Sequence, residues 1–288
     1  MISIIIPAHN EANVIGKTLE ALLPGVITGE VEIIVVCNGC TDNTVAIVET
    51  FGEKVKCTVS PVASKTKALN LGDNEASGFP RIYLDADIVL SFDAVKRMAG
   101  VLQAGQYLAA APIMQMDFSK TSWAVRSYYD IWQQLPYVKE GMIGTGVYAL
   151  SRKGKERVGR FPDIIADDGY VRAMFTKEER TSVDNCYSLV RAPANLTGLK
   201  KIKMRSRLGR YELAEKFPEL LKNEEKNYKF AILKLLSKVS CWVKIPVYFY
   251  VNIATRISAK KYCQLHEFTG WERDETSREK IINPAKPE

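Results

Sequence analysis

Residues 81–88 read RIYLDADI: an apolar run, Ile82-Tyr83-Leu84, then two carboxylates, Asp85 and Asp87, with only Ala86 between them. A short apolar run that stops at acidic residues is the pattern of a buried strand ending at a polar rim. If the chain stays extended through Asp87, the two-residue period of a strand turns both carboxylates to one side. Paired oxygen donors with no Cys or His beside them suit a hard divalent cation, Mg²⁺ or Mn²⁺, which completes its shell with phosphate oxygens and water. The same three letters occur at ordinary strand-to-helix turns, so the motif is read with its surroundings.

On both sides, β-branched runs alternate with amphipathic stretches. Ile2–Ile6, Val31–Cys37 and Val55–Val59 read as further strands. Helices are predicted over Glu11–Leu23, with Asn10 as N-cap and Ile15, Leu19 and Leu22 on one face, and over Thr41–Phe51, Lys65–Ala76 and Ser91–Gln103. This rhythm predicts an α/β fold, a mainly parallel central sheet flanked by helices. Such sheets collect their ligands at the carboxyl ends of the strands. PAHNE (7–11), CNGCTD (37–42) and DAD (85–87) are therefore expected at one rim. After Gln103 come a strand-like LAAAPIM (108–114), a helical stretch over Trp123–Leu135, and a glycine-rich MIGTGVYAL (142–150).

With 288 residues, 47% of them hydrophobic, the chain can bury a sizeable core. Its net charge of +7 is uneven: residues 200–288 hold 20 Lys+Arg against 11 Asp+Glu, and residues 1–199 hold 20 against 22. A basic third fits an anionic membrane surface or phosphate-bearing substrates. Nucleic acid is least favoured, because no RNP, zinc-finger or helix-turn-helix pattern accompanies the charge. The six cysteines show no repeated C-x-x-C pairs, and the lone one, Cys37 with Cys40, reads as a small-residue turn in a reducing compartment. The chain opens directly on MISIIIP with no basic n-region or cleavage site, and a cytoplasmic location is expected.

Other segments carry chemistry only in combination. Asp167-Asp168 opens a helical GYVRAMF, where the positive helix end favours ionised carboxylates; the pair could cap the helix or supply a general base. Asn38, before Gly39, offers an amide donor and an acceptor to a nucleobase, or closes a simple turn. Lys65, in SKTKALNLG (64–72), could bring a cation to a diphosphate or face solvent. His9 reads as a loop residue at the rim.

Taken in order, SIIIPAHNE, VEIIVVCNGCTDNT, the Lys65 segment, IYLDADI, GTGVYALSR and IIADDGYVR resemble the inverting glycosyltransferases of family 2, over about residues 1–175. The resemblance implies the GT-A fold and transfer of a sugar from a nucleotide-sugar donor to a saccharide or lipid-linked acceptor in polysaccharide or glycolipid assembly. It implies a catalytic domain over 1–200, with a nucleotide-binding half (1–105) and an acceptor-binding half (106–200), then a basic, mostly helical extension (201–288). Carried over position by position, Pro7, Ala8, Glu11 and Asn38 surround the base and ribose with Lys65 nearby. Asp85 and Ala86 then lie at the ribose and metal, Asp87 ligates Mg²⁺ or Mn²⁺, and Asp168 is the base with Asp167 beside it. Gly144, Thr145 and Gly146 border the acceptor. Arg205 and Arg207 belong to a basic segment that is mobile in relatives and closes over the donor. Where many relatives carry two acids, this chain has Cys37-Asn38; UDP remains the first donor nucleotide expected.

Two competing readings are a sugar-phosphate nucleotidyltransferase, which expects an arginine-containing glycine loop where this chain has PAHNEANVIG, and a non-catalytic nucleotide-sugar-binding protein. Near the C-terminus, Phe230, Leu233, Leu236, Val239 and Val243 recur at helical spacing with Lys229, Lys234 and Lys238 between them. The following IPVYFYVNIA (245–254) is about half the ~20 apolar residues a membrane span requires. The segment therefore either packs on the catalytic domain or makes peripheral contact with an anionic membrane.

Overall fold

The computed structural model describes residues 1–223 and 235–265. Lys229, Phe230, Leu233 and Lys234 of the expected C-terminal helix lie outside the described residues. Eight strands form one sheet among those described: β1 (Ile2–Ala8), β2 (Val31–Asn38), β3 (Lys56–Ser60), β4 (Arg81–Leu84), β5 (Val89–Leu90), β6 (Ala109–Asp117), β7 (Val147–Leu150) and β8 (Arg180–Arg191). Their order is β3-β2-β1-β4-β7-β6-β8-β5. The first four are parallel, β7 runs antiparallel between β4 and β6, β8 lies parallel to β6, and β5 closes the β8 edge antiparallel. The sheet is thus parallel from β1 to β4 and mixed beyond them.

The helices are α1 (Ile15–Ile27), α2 (Thr44–Glu49), α3 (Lys65–Glu75), α4 (Phe92–Gln103), α5 (Trp123–Trp132), α6 (Pro136–Lys139), α7 (Arg152–Val158), α8 (Asp167–Met174), α9 (Leu196–Lys216) and α10 (Ile245–Leu265). Strand alternation sorts the core onto two faces. Ile4 and Ile6 of β1 pack with Ile15, Leu19 and Leu22 of α1 and Val95 and Met98 of α4, while Ile5 packs with Leu69 of α3 and Tyr170 and Val171 of α8. A third cluster joins Tyr128, Ile131 and Trp132 of α5 to Leu199 of α9 and Val251 of α10.

Three local expectations are corrected. Asn10 does not cap α1, which begins at Ile15; Asn10 stands at φ 53° and its Oδ1 accepts from the Thr41 backbone N–H at 2.8 Å. α2 begins at Thr44, because Asp42 Oδ1 accepts from the Thr44 N–H at 3.0 Å and holds residues 41–43 in a turn. The segment after β4 is not extended: the Ile88 N–H donates to the Asp85 carbonyl at 3.1 Å, so the two acids are related by a tight turn and not by strand alternation. The expected division at residue 200 falls inside α9, whose Leu213 shares a core with α8.

Gly146 shows why glycine precedes β7. Its φ is 63°, and a Cβ there would stand 2.5 Å from Ile88 Cγ1. Both constraints act on the strand that carries its carbonyl to the Asp85 N–H at 2.9 Å. Gly146→Ala is expected to cost about 1–3 kcal/mol of stability, the usual scale for a non-glycine residue held in a sparsely populated conformation. Urea unfolding of the two proteins checks it, and equal midpoints would refute it.

Candidate active site

The carboxyl ends of β2, β1 and β4 lie side by side, as their register requires. The loops after β1 and β2 are cross-linked: the Glu11 N–H donates to Thr44 Oγ1 at 2.7 Å, the Ala12 N–H to Asp42 Oδ2 at 3.1 Å, and His9 Nδ1 lies 2.6 Å from the Asn38 carbonyl. Asn38 is buried. Its Nδ2 donates to the Ala8 carbonyl at 2.9 Å and approaches the Val36 carbonyl at 3.3 Å, while its Oδ1 has no partner. Pro7, Ala8 and Glu11 are buried at the same end of β1.

The DAD turn is tied on two sides. Thr18 Oγ1 of α1 donates to the Ala86 carbonyl at 2.8 Å, and the Gly146 carbonyl receives the Asp85 N–H. Facing it is the first residue of α3. Ser64 caps that helix, its hydroxyl accepting from the Lys67 N–H at 3.4 Å, and Lys65 extends its ammonium to 2.7 Å from Asp85 Oδ1 and 2.9 Å from Asp167 Oδ1. Asp167 is almost wholly buried, and its other oxygen accepts from the Tyr148 hydroxyl of β7 at 3.0 Å. Neither acid of the 167–168 pair caps α8, whose N-cap is Ala166 with no side-chain bond. Asp168 is exposed, and its Oδ1 accepts from the Gly169 N–H at 2.7 Å.

The electrostatics of this cluster are coupled. Burial alone would lower the Lys65 pKa, but the carboxylates of Asp167, Asp85 and Asp168 outweigh it and raise it far above the ordinary lysine value. Although Asp168 reaches solvent, the protein crowded around it disfavours its charge, and Asp167 adds to that effect; Lys65 and the Gly169 N–H oppose it, and the net pKa is raised. Tyr148 is pushed well up by burial and by Asp167, so it stays a hydrogen-bond donor. Lys65, Asp85, Asp167 and Asp168 thus share one electrostatic site, though the acids stand about eighty residues apart in the chain.

The glycine loop before β7 borders this site. Gly146 lies against Asp85, whose Oδ2 would be 3.5 Å from an added Cβ, and Gly144 lies against Trp132 of α5. Thr145 is buried, and its hydroxyl is occupied by the Val147 carbonyl at 2.6 Å. Arg205 and Arg207 lie on the regular helix α9, not on a loop. Arg207 Nε donates to Thr255 Oγ1 at 2.9 Å and Nη2 to Asn252 Oδ1 at 2.6 Å, which fixes α9 to α10.

Residues 3–159, more than half of the chain, match the family model described as glycosyl transferase family 2. The chain belongs to that family. It is a glycosyltransferase with the GT-A fold, and the nucleotidyltransferase and non-catalytic readings fall away. Solved structures similar to it include a mannosyltransferase from Pyrobaculum calidifontis in complex with GDP-Man and Mn²⁺, at 19% identity and a TM-score of 0.59, covering 90% of this chain and 77% of that one. Another is glucosyl-3-phosphoglycerate synthase from Mycobacterium tuberculosis with Mn²⁺, UDP-Glc and phosphoglyceric acid, at 20% identity and 0.55, covering 75% and 79%. A third is S. aureus TarS 1-349, at 17% and 0.51, covering 90% and 80%. No curated protein matches by sequence.

Sequence reasoning missed several residues around the candidate site of this glycosyltransferase. Tyr148 sits in the apolar-looking VYAL, and nothing local marks its hydroxyl as a partner of Asp167. Glu212 of α9, 2% exposed, accepts from the Ile165 N–H at 2.7 Å and so holds the loop that delivers Asp167. Lys203 lies in the basic extension with no local sign of its surroundings; its ammonium stands 4.0 Å from the Trp132 ring centre, 5.1 Å from Tyr129 and 5.2 Å from Tyr128. Burial and the nearby Arg207 push it down to about 7, while the ring faces favour its charge.

Replacing Lys65 by Met leaves Asp85 and Asp167 facing each other with no cation. The expected loss is about 3 kcal/mol, the low end for a broken buried pair, because the Asp85 side chain is 38% exposed. Thermal unfolding at neutral pH measures it; an unchanged midpoint would show that the bridge contributes nothing.

Proposed function

We propose that this glycosyltransferase acts by single displacement, with Asp168 as the base and inversion at the anomeric carbon. One observation carries the reading: of the two adjacent acids, Asp167 has both oxygens occupied by Lys65 and Tyr148, whereas Asp168 is exposed and has a raised pKa. A carboxylate with a raised pKa is a stronger base. Asp168 takes the proton of the acceptor hydroxyl as its oxygen attacks; attack from the face opposite the departing diphosphate inverts the centre. Asp167 is a positioning residue, holding the start of α8 through Lys65 and Tyr148.

The donor is proposed to be a nucleotide-diphosphate sugar, a UDP-sugar first. Pro7, Ala8, Glu11 and Asn38 line the base and ribose, and Asp85 and Ala86 reach the ribose. Residues 1–105 are proposed as the nucleotide half and 106–200 as the acceptor half, with Gly144 and Gly146 beside the acceptor. The buried hydroxyl of Thr145 favours a backbone role for that residue, and Arg205 and Arg207 of α9 are proposed to reach the donor, Arg207 from a side chain that also binds Thr255 of α10. The acceptor is a saccharide or a lipid-linked sugar of an envelope polysaccharide or glycolipid, met at an anionic membrane surface by peripheral contact.

The residues present fit a hard divalent cation. Asp85 and Asp87 offer only oxygen at a tight turn, and among the described residues no group of three or more His, Cys, Asp or Glu side chains could hold a metal ion. Two carboxylates suit Mg²⁺ or Mn²⁺, which keep water and phosphate oxygens in their shell. When bound, such an ion neutralises the charge gathering on the leaving diphosphate. The mannosyltransferase and the glucosyl-3-phosphoglycerate synthase named above were each crystallised with Mn²⁺.

Asp168→Asn is expected to lower turnover by about a hundredfold or more with donor affinity retained. The wild-type acid limb of kcat/KM should lie above the ordinary carboxylate pKa. The same change has a stability signature. Because the folded pKa of Asp168 is raised, the folded protein holds this proton more tightly than the unfolded chain, and stability falls as pH rises from the ordinary carboxylate value through the raised one. At neutral pH this carboxyl therefore costs stability, so the Asn variant should melt higher than wild type at pH 7.5 and gain less at pH 4. Near-normal turnover in the variant would remove Asp168 from the role. A thermal-shift plate of UDP-, GDP- and other nucleotide sugars, with and without Mn²⁺, tests the donor: stabilisation by a UDP-sugar that needs the metal is expected, and stabilisation by none would overturn the donor assignment.

A further inference from the structure

The described segment 235–265 contains five Lys and Arg residues and no Asp or Glu, in 31 residues. One side of α10 is committed to the protein. Val251, Thr255 and Ala259, four residues apart, are buried, and Asn252 and Thr255 bind Arg207 of α9. The opposite side carries Phe249, Tyr250, Ile253 and Ile257 at helical spacing, and the turn before the helix adds Val239, Trp242 and Val243. Val239, Trp242, Val243, Tyr250, Ile253 and Ile257 are each between 54 and 72% exposed, unusual for large apolar side chains clustered together.

The charges are arranged around this stripe. Lys238 and Lys244 are tied back to α5 and the turn after it, at 3.0 Å from Gln134 Oε1 and 2.7 Å from Asp130 Oδ2. Arg256, Lys260 and Lys261 are exposed on the last turns of α10, next to Ile253 and Ile257. The indole N–H of Trp242 donates to the Leu236 carbonyl at 2.8 Å, so the ring's one polar group is satisfied within the segment and its apolar edge can leave water. None of the helices among the described residues is long and apolar enough to cross a bilayer.

We propose that this face docks on an anionic lipid bilayer, with α10 lying flat in the headgroup region, Trp242, Tyr250, Ile253 and Ile257 entering the acyl boundary, and Arg256, Lys260 and Lys261 among the headgroups. An amphipathic helix with apolar and aromatic side chains on one side and basic residues at its margin binds in this manner. A second copy is the poorer occupant, since a two-fold contact would bring the same basic margins together with no acid in the segment to offset them. The inference deepens the peripheral contact proposed above and ties it to the acceptor side, because α10 packs on α5 and α9, which carry Trp132 and Lys203.

Sedimentation of the full chain with vesicles tests this without any reference to turnover, so a wrong donor or base assignment leaves the result intact. The expected result is binding to phosphatidylcholine vesicles containing phosphatidylglycerol at least about tenfold stronger than to phosphatidylcholine alone, with a fluorescence blue shift that disappears in Trp242→Phe. Ile253→Asp with Ile257→Asp, and separately Arg256→Glu with Lys260→Glu and Lys261→Glu, should each abolish it; all five positions are exposed, and unchanged melting temperatures verify the fold. No binding by the wild type, or equal binding by either variant set, overturns the proposal. So does a wild-type dimer in solution that Ile253→Asp with Ile257→Asp converts to monomer, which would assign the face to a second copy.

Discussion

The site depends on one ammonium group. Lys65 stands between Asp85, at the end of β4, and Asp167, at the start of α8, and holds together carboxylates whose own repulsion would part them. Helix α3 can deliver that charge because it is fixed along its length. At its far end Asp73 meets Arg81 at 2.7 Å and the Tyr83 hydroxyl at 2.8 Å, both on β4, and Lys155 at 3.1 Å. Midway, Asn70 exchanges two 2.9 Å hydrogen bonds with the backbone of Phe161. The helix is thus aligned on β4 by ionic contacts at both ends and tied to the segment leading to Asp167 in the middle. Buried ion pairs give modest net stability but strong geometric preference, and geometry is what an acid cluster contributed by distant segments requires.

That dependence also explains the different surroundings of two adjacent, chemically identical acids. Asp167 and Asp168 follow each other, yet the helical turn points the first toward Lys65 and Tyr148 and leaves the second exposed. The Lys65 cation that holds Asp167 lowers the electrostatic penalty on Asp168 without occupying it, and burial and Asp167 still keep the Asp168 pKa above the ordinary value.

Much of this was legible in the letters, for a physical reason: strands that are buried on both faces must be apolar, and their acids can appear only at the ends. The strand runs, the rim formed by PAHNE, CNGCTD and DAD, and the helix opening at Asp167 follow from that rule. The misreadings share a different cause. Asn10 suggests a cap because Asn caps helices, but its Oδ1 takes the Thr41 N–H of the adjacent loop, and Asp42 Oδ2 takes the Ala12 N–H, a tertiary choice that no local pattern records, while the other Asp42 oxygen closes a local turn on Thr44 and delays α2. DAD looked extended because one small residue separates two acids, and a turn hydrogen bond gives the same letters a different geometry. The mixed half of the sheet, the Tyr148 hydroxyl and Glu212 all act across long sequence separations. Lys203 was hidden in a basic run because the three rings around it come from α5.

Asn38 marks where this chain departs from the pattern it otherwise resembles. An acid at this position would face the Ala8 carbonyl, 2.9 Å away, with no proton to give when ionised, and burial would oppose its charge. The amide removes that conflict: its N–H group joins the carboxyl end of β2 to that of β1, bracing the two loops that also exchange the Glu11–Thr44 and Ala12–Asp42 contacts. The cost is a buried carbonyl oxygen without a donor. A rim stiffened in this way carries no negative charge at the end of β2. The acids that remain are then concentrated at the DAD turn and at Asp167-Asp168, the segments that Lys65 joins.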